Sequence, residues 1–314
     1  MTSLYSPAPD WSGRSDGPGP EHARWHSVIR PDDGHATNAV ALLGFSSDEG
    51  VRRNHGRPGA AAGPEALRSA LGSLAVHSDI SLVDAGTVTT PGTDLESGQA
   101  ELSARVSDLA QRNNLVVVLG GGHETAFASH RGLYQARGAA GIVNIDAHFD
   151  LREADEPTSG TPFRNIADLV GEDFDYTVLG ISEPNNTAAL FATAEQLGTT
   201  VVLDHELLAQ SPAECAQRAT DACQGDRPIH LSIDLDVLPA AVAPGVSAPA
   251  GLGVDLDRVR AIALAVAATG RLALVDVVEL NPEFDVDSRT AKVAARLIHD
   301  VVTTAWQAQN SSPN

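Results

Sequence analysis

Three side chains in the segment 144–152 have the chemistry of metal ligands. Asp146, His148 and Asp150 alternate with other residues just after the apolar run 139–143, which predicts the end of a buried strand. In an extended chain this spacing puts two carboxylates and an imidazole on one face. Such groups repel and desolvate one another unless a cation lies among them. The spacing therefore predicts a divalent metal site, with a solvated strand end as the alternative.

Three further apolar runs also end in acidic or imidazole side chains. Leu115–Leu119 is continuously apolar, as expected of a strand buried on both faces, and three glycines then lead to His123. Asp234 and Asp236 lie among apolar neighbours, where a carboxylate is costly unless it is paired or bound to a metal. Glu279 ends the fourth run. Because parallel α/β sheets carry their sites at the carboxyl ends of the strands, we expect these side chains to meet.

Six of these side chains are candidates for one shared metal centre. Two imidazoles and four carboxylates are too many for a single metal that keeps an open position, but they suit two metals bridged by shared carboxylates. Four negative charges would also balance two divalent cations. The oxygen-rich set favours Mn²⁺, although these ligand types also bind Zn²⁺, Co²⁺ or Fe²⁺. The candidates are His123, Asp146, His148, Asp150, Asp234 and Asp236.

The four motifs, in their order along the chain, resemble those of the ureohydrolase superfamily, which includes arginase, agmatinase and formimidoylglutamase. They are GGGHE at 120–124, NIDAHFD at 144–150, SIDLDVL at 232–238 and VVELNPEFD at 277–285. Three segments point to the formimidoylglutamase branch, namely DEGVRRNHGRPGA at 48–60, GHE at 122–124 and SGTPF at 159–163. The resemblance runs from about Trp11 to Leu297. It implies a three-layer, arginase-like α/β fold with a mostly parallel central sheet and helices on both faces, which the alternation of predicted strands and helices also favours.

The resemblance also implies how the ligands and catalytic roles are distributed. One Mn²⁺ would be held by His123, Asp146, Asp150 and Asp234, and a second by Asp146, His148, Asp234 and Asp236. A hydroxide that bridges the two ions would attack the trigonal carbon of a guanidine or formimino group. Asp150 would move a proton to the leaving amine, and Glu279 would pair with the cationic amidine. Glu124 fits either an acceptor for His123 or an acid at a helix N-terminus.

An arginine-rich loop bears on the choice of substrate. Arg52, Arg53 and Arg57 have only Asp48 and Glu49 to oppose them in this loop. A solvated charged loop is one interpretation, and a clamp for carboxylates is the other, because arginine binds carboxylates bidentately. N-formimidoyl-L-glutamate carries carboxylates and agmatine has none, so a clamp favours the former. The candidate substrate contacts are Arg52, Arg53, Asn54, Arg57, Arg152 and Glu279.

The predicted reaction is the Mn²⁺-dependent hydrolysis of N-formimidoyl-L-glutamate to L-glutamate and formamide, which the resemblance assigns to histidine degradation. Where arginases carry a Gly-x-x-His shuttle, this chain has the SGTPF segment without a histidine, which argues against arginase activity. One alternative is another ureohydrolase that acts on a guanidino compound, of the guanidinobutyrase, arginase or agmatinase type. The other is a non-catalytic relative that binds metal.

The composition of this 314-residue chain limits the kinds of partner that it is expected to bind. Its formal net charge of −20 argues against nucleic-acid binding. No apolar run approaches the roughly 18 residues of a membrane-spanning helix. The absence of a signal-peptide pattern and the two cysteines predict a cytoplasmic location without disulfides. The expected partner is a small-molecule substrate, with neither nucleic acid nor membrane, and the family resemblance implies a homo-oligomer, a trimer or hexamer.

The length is compatible with one large domain. Residues 1–36 are predicted to form a partly ordered N-terminal extension, because their first part is rich in Pro, Gly and Ser. Residues 37–308 are predicted to form a single ureohydrolase-like α/β domain, and 309–314 a C-terminal tail. Helices over 95–112 and 125–137 are predicted to flank the strand at 115–119.

Overall fold

A ten-stranded sheet forms the centre of the molecule. The structure is a computed structural model that describes residues 4–311, so residues 1–3 of the predicted extension and 312–314 of the predicted tail lie outside it. The strands are β1 Tyr5–Ser6, β2 Arg30–Pro31, β3 Val40–Ser46, β4 Leu82–Thr89, β5 Leu115–Leu119, β6 Gly141–Ile145, β7 Tyr176–Ile181, β8 Thr200–Leu203, β9 Ile229–Asp234 and β10 Leu272–Val278. Their order along the sheet is β1-β4-β3-β5-β10-β9-β6-β7-β8, with β2 also paired to β4. In the described part of the chain, β1 with β4 is the one antiparallel pair.

Helices cover both faces of this sheet. They are α1 Trp25–Val28, α2 Glu49–Arg53, α3 Gly63–Gly72, α4 Leu95–Arg112, α5 Thr125–Arg137, α6 Pro162–Val170, α7 Ala188–Gln196, α8 Asp204–Leu208, α9 Pro212–Ala222, α10 Leu256–Ala267 and α11 Arg289–Asn310. Short 3₁₀ turns lie at Pro20–His22, Ala60–Ala62, Gly171–Asp173, Glu183–Asn185 and Leu235–Val237. None of the helices between residues 4 and 311 has the length and apolar character needed to cross a bilayer.

Side chains of the central strands alternate between two apolar cores. In β5, Leu115, Val117 and Leu119 pack into the core that contains residues of α3, α9, α10 and α11. Val116 and Val118 pack on the other face with residues of α4 and α5. Every residue of β5, β9 and β10 is buried, which explains why β5 is continuously apolar and lacks the apolar–polar alternation of a one-sided sheet. The three-layer α/β fold predicted from the sequence is confirmed.

The predicted N-terminal extension takes part in the sheet. β1 and β2 both pair with β4, and Trp25 is buried in the core. The ring of Trp11 stacks on Trp25, and its Nε1–H donates to Asp84 at 2.8 Å. At the other end α11 continues to Asn310, so two residues of the predicted tail are helical. The domain boundaries at 37 and 308 stay a prediction.

A buried ion pair between Arg68 and Asp84 is expected to be important for stability. The Asp84 carboxylate, 1% exposed, accepts hydrogen bonds from Arg68 Nε at 2.8 Å and Nη2 at 2.9 Å. Asp84→Ala would leave the guanidinium buried without its partner, so we expect the free energy of unfolding to fall by about 3–5 kcal/mol. Urea denaturation measures this loss. Asp168→Ala, which breaks the exposed ion pair with Arg164, should cost about 1 kcal/mol or less. Equal losses in the two variants would contradict the prediction.

Candidate metal centre

The carboxyl ends of four neighbouring strands meet at one edge of the sheet. β5, β10, β9 and β6 are adjacent in that order. Because parallel strands end at the same edge, segments far apart in the sequence converge there. The strands lead, in the same order, to His123, to Glu279, to Asp234 and Asp236, and to Asp146, His148 and Asp150.

His123 lies at the centre of a first group of side chains. Its Nδ1 is 3.1 Å from Asp146 Oδ2, 2.9 Å from Asp150 Oδ2 and 3.0 Å from Asp234 Oδ2. None of these contacts has hydrogen-bond geometry, so within the described chain Nδ1 is a buried atom without a hydrogen-bond partner. The ligand atoms of all four residues lie within 4.8 Å of one another. These four ligand atoms could together hold a metal ion.

A second group consists of Asp146, His148 and Asp236. His148 Nδ1 is 3.2 Å from Asp236 Oδ2 and 3.7 Å from Asp146 Oδ1. Asp146 belongs to both groups, because its Oδ2 faces His123 and its Oδ1 faces His148. The structure thus brings together all six residues predicted to bind metal. That Asp234 contributes to a second ion as well stays a prediction, since it joins only the first group.

Loops rather than an extended strand bring these side chains together. β6 ends at Ile145, and Asp150 has a φ of 51°, in the left-handed region. The Asp146 carboxylate accepts the backbone N–H of His148 at 2.7 Å, which curls the loop. Asp236 lies in a 3₁₀ turn after β9. The prediction that an extended chain places Asp146, His148 and Asp150 on one face was therefore wrong, although the residues themselves converge.

Two polar residues inside the central strands orient the imidazole of His123. Ser232 in β9 donates its only hydrogen to Asp276 in β10. His123 Nε2 lies 3.0 Å from Ser232 Oγ, and because Ser232 has no second hydrogen, Nε2 must donate the hydrogen of this bond. Nδ1 then carries no hydrogen, and its lone pair faces the carboxylates. The sequence analysis missed Ser232 and Asp276. The signal for Asp276 is a single carboxylate within the otherwise apolar strand β10, and Ser232 alternates with apolar residues in β9.

The charges of this centre are unbalanced without a cation. Burial, with the nearby carboxylates of Asp236 and Asp146, raises the pKa of Asp234 well above its ordinary value. Burial likewise raises the pKa of Asp150. The Asp236 carboxylate raises the pKa of His148 to about 12. Carboxylates and imidazole lone pairs directed at a common point suit a divalent cation, so the residues fit one chemically.

The metal-free protein is therefore expected to lose stability as the pH rises from about 6.5 to 8. Burial raises the pKa of Glu279 to about 8, and the pKa of His148 is also raised. Each raised pKa means that the folded state holds a proton more tightly than the unfolded state, so stability present at low pH is lost as the pH rises through the folded value. Burial lowers the pKa of His130 to about 3, but this opposing effect ends near the pKa of an unfolded histidine, about 6.5.

Thermal melts in chelator at about pH 6.5 and about pH 8 measure this loss of stability. Mn²⁺ should reduce the difference, because a bound cation replaces protons in balancing the carboxylates. A metal-free protein that melts at the same or a higher temperature at the upper pH would contradict the prediction.

A cavity of about 350 Å³ opens onto the centre. Its lining includes the metal-ligand candidates His123, His148, Asp150, Asp234 and Asp236. Four of the predicted substrate contacts also line it, namely Asn54, Arg57, Arg152 and Glu279.

Arg52 and Arg53 are not part of this lining. Arg52 Nε lies 2.6 Å from one oxygen of Glu49, and Arg53 Nε lies 3.1 Å from the other. Arg53 also bonds Glu96 at 2.8 Å. These carboxylates neutralise both guanidinium groups. Direct contact of Arg52 or Arg53 with substrate stays a prediction, and their placement gives it no support.

Arg57 and Arg152 both line the cavity, but the two guanidinium groups differ in how they are held. Arg57 is held in place, because its Nε donates to Ser247 O at 2.8 Å and its Nη2 to Val246 O at 2.6 Å. Its guanidinium also lies 4.0 Å from the ring centroid of Phe284. Arg152 is exposed, and its side chain has no hydrogen bond or ion pair to any residue between 4 and 311. It is therefore available to an anionic ligand.

Glu279 lies beside the metal centre without belonging to either group. Its Oε1 accepts the backbone N–H of His123 at 2.9 Å, and its φ of 67° lies in the left-handed region. Such a conformation costs about 1–3 kcal/mol in a residue other than glycine and is found mainly at functional sites. Burial raises its pKa to about 8, with Glu124 and Asp236 adding to the effect. A cationic group in the cavity would compensate this buried carboxyl.

Asn186 is a cavity residue that the sequence analysis missed. It donates through Nδ2 to Ala147 O and accepts the Phe149 N–H at 3.2 Å, so it supports the loop that carries the ligands. It follows the carboxyl end of β7. Applying the strand-end rule to this strand as well would have pointed to it.

The chain belongs to the arginase family, whose family model matches residues 38–303. Among individual relatives, it is 52% identical over 294 residues to a formimidoylglutamase of Corynebacterium efficiens, covering 93% of each chain. Among solved structures, the formimidoylglutamase of Bacillus subtilis superposes with a TM-score of 0.83 at 23% identity, covering 90% of this chain and 92% of that one. A Trypanosoma cruzi formiminoglutamase with Mn²⁺ superposes with a TM-score of 0.78 at 25% identity, covering 86% and 94%. The family predicted from the motifs is confirmed.

Proposed function

We propose that the protein hydrolyses N-formimidoyl-L-glutamate to L-glutamate and formamide, a step of histidine degradation. The observation that carries the proposal is the pair of acid–imidazole groups that share Asp146 at a cavity lined by arginines. The 52% identity to a formimidoylglutamase supports this substrate. We propose two Mn²⁺ ions as the metals, in line with the Mn²⁺ in the Trypanosoma cruzi formiminoglutamase.

The six ligand side chains would hold the two ions, with Asp146 shared between them. Bound there, two divalent cations supply a water of lowered pKa as nucleophile and stabilise developing negative charge. The residues that would hold the first ion are His123, Asp146, Asp150 and Asp234, and those for the second are Asp146, His148, Asp236 and, from the resemblance, Asp234.

The other steps are carried by side chains at the edge of the cavity. Water adds to the formimino carbon, and the bond from that carbon to the nitrogen of glutamate breaks. The Asp150 carboxylate, which lines the cavity, takes a proton from the water and passes it to the departing nitrogen. The Glu279 carboxylate pairs with the amidinium and orients it.

Arg57 and Arg152 would bind the substrate carboxylates. Arg57 is already fixed by two backbone carbonyls, so it loses little freedom when it binds a carboxylate. Arg152 is unpaired among the described residues and can adapt to the second carboxylate. Agmatine offers neither cation a partner, and leaving both unpaired disfavours it.

Turnover after Mn²⁺ reconstitution tests the proposed function. Formimidoylglutamate, arginine, agmatine and guanidinobutyrate are compared side by side, and formamide and urea are assayed. We expect formamide from formimidoylglutamate alone. Urea from a guanidino substrate, with no formamide, would overturn the assignment in favour of another arginase-family hydrolase.

Arg57→Ala is expected to raise KM for formimidoylglutamate by about 10- to 100-fold, because a hydrogen bond to a charged group contributes roughly 1.5–3 kcal/mol. Steady-state formamide release measures the change. Arg218→Ala removes the same charge from α9, where Arg218 donates to Gln210 outside the cavity, and should leave KM unchanged. Equal effects in the two variants would show that only overall charge matters and would contradict the assignment of Arg57.

We further propose a cytoplasmic homo-oligomer, a trimer or hexamer, that acts without nucleic acid or membrane. The resemblance to the family supports the oligomer, and the net charge of −20 supports the absence of a nucleic-acid partner. Size-exclusion chromatography with light scattering tests the oligomeric state, and a monomeric mass would contradict it.

A further inference from the structure

Glu124 is a buried carboxyl group that the proposed chemistry does not use. It follows His123 directly and is 0% exposed. Its Oε1 accepts hydrogen bonds from the backbone N–H of Gly50 and from Ser47 Oγ, each at 3.0 Å. Its Oε2 has no hydrogen-bond partner among the described residues. Burying a half-satisfied carboxyl is costly. We therefore ask which part of the structure is positioned by the two hydrogen bonds that Oε1 accepts.

The loops that Glu124 joins are in very close contact. One is the metal-ligand loop 120–124, and the other is the substrate loop 47–57, which contains α2. Gly122 donates its N–H to Ser47 O at 3.0 Å. A Cβ at Gly121 would overlap Ser47 O, and a Cβ at Gly50 would lie 2.5 Å from the Glu124 carboxyl. Glycines therefore allow an approach that leaves the Glu124 carboxyl packed directly against the first turn of α2.

The position of α2 determines where Asn54 lies and is linked to the loop that carries Arg152. The helix is followed directly by Asn54 and then, after His55 and Gly56, by Arg57; Asn54 and Arg57 both line the cavity. Asn54 Nδ2 donates to Ser159 Oγ at 3.2 Å, and Arg53 Nη1 donates to Pro157 O at 3.1 Å. These bonds connect α2 to the loop that carries Arg152. A shift of α2 would therefore move Asn54 and the loop that carries Arg152 relative to the metal ligands, whereas Arg57 is held separately by Val246 and Ser247.

We propose that Glu124 is a positioning residue that holds the substrate loop at a fixed distance from the metal centre. It belongs to neither group of metal-ligand atoms and does not line the cavity. Its influence on catalysis rests on the proposed function, whereas its attachment of the substrate loop does not. Loss of the carboxyl should weaken substrate binding while leaving the metals in place.

Amide hydrogen exchange of the metal-loaded enzyme tests the attachment without any substrate. In Glu124→Ala we expect the amides of 48–57 to exchange about tenfold faster or more, because the Gly50 N–H loses its acceptor and the loop opens locally. Glu124→Gln keeps an oxygen for the same two bonds and should exchange as the wild type does. Glu124→Asp, which is shorter by one methylene, should change in the same direction as alanine and serves if the alanine variant fails to fold.

Kinetic constants and Mn²⁺ affinity test whether loss of the Glu124 carboxyl weakens substrate binding while the metals stay bound. In Glu124→Ala, KM for formimidoylglutamate should rise about tenfold or more, while kcat and Mn²⁺ affinity stay within about threefold, since the lost binding is shared equally by the ground state and the transition state. Ser103→Ala is the matched control. It removes a buried hydroxyl that links α4 to α5 through Ala128 O, and it should lower stability without changing KM.

Three outcomes would overturn the proposal. They are unchanged exchange of 48–57 in the alanine and aspartate variants, a loss of Mn²⁺ affinity that matches the loss of activity, and a rise in KM in Ser103→Ala as large as in Glu124→Ala. A wild-type enzyme that releases no formamide would instead refute the proposed function, and the exchange experiment would still decide whether Glu124 holds the loop.

Discussion

Asp146→Asn is expected to abolish formamide release and to remove bound Mn²⁺. The residue is 0% exposed and contributes one oxygen to each group of ligands. An amide keeps the shape but removes the charge and one of the two oxygens. Loss of a group that hydrogen-bonds a metal ligand typically lowers metal affinity or activity by about 10–100-fold. Loss of a shared ligand itself should therefore lower kcat/KM by about 10³-fold or more. Steady-state kinetics and elemental analysis of the purified variant measure the two effects.

Asp84→Asn is the control for burial and charge. Asp84 is also a buried carboxylate, but it lies in β4 and bonds Arg68 and Trp11 rather than the metal ligands. We expect this variant to lose stability while keeping its Mn²⁺ content. An Asp146→Asn enzyme with the full metal content and wild-type turnover would refute the two-group centre.

Glu279→Gln is expected to lower kcat/KM by about 10²–10³-fold while metal binding is retained, because an aligned charged partner in a water-poor site contributes roughly 2.7–4 kcal/mol to the transition state. Glutamine can still accept the N–H of His123, so the local backbone should stay in place. The amide cannot balance the charge of the amidinium. Kinetic constants and Mn²⁺ content of the same preparation separate this effect from loss of metal.

The two variants therefore make different predictions for the same pair of measurements. Asp146→Asn should lose metal and activity together, whereas Glu279→Gln should lose activity alone. If Glu279→Gln also lost Mn²⁺, or kept activity within about threefold of the wild type, Glu279 would not act on the substrate as proposed.

The central elements of the fold could be predicted because burial on both faces leaves a clear pattern. The strand Leu115–Leu119 and the helices Leu95–Arg112 and Thr125–Arg137 have the bounds expected from the sequence. The order of the strands could not be predicted in the same way. β9 and β10 come last in the chain but lie between β5 and β6, and no local pattern encodes that long-range pairing.

The candidate site shows the same division between local and long-range information. Glu279 was found because it directly follows a buried strand, and His123 because three glycines lead to it from another. The pairing of Arg53 could not be foreseen, since Glu96 is 43 residues away. Nor could the sequence show that Asp150 adopts a left-handed backbone conformation, which depends on how the whole loop packs. Residue types at strand ends indicated the chemistry, whereas the partners of individual side chains required the structure.

The most direct test of a two-metal formimidoylglutamate hydrolase is a titration of the metal-free enzyme with Mn²⁺ while formamide release is followed. The two ligand groups that share Asp146 predict no release without metal, and a rate that rises to its plateau at about two ions per chain. Full formamide release in the presence of chelator, or a plateau at a single ion per chain, would contradict the account.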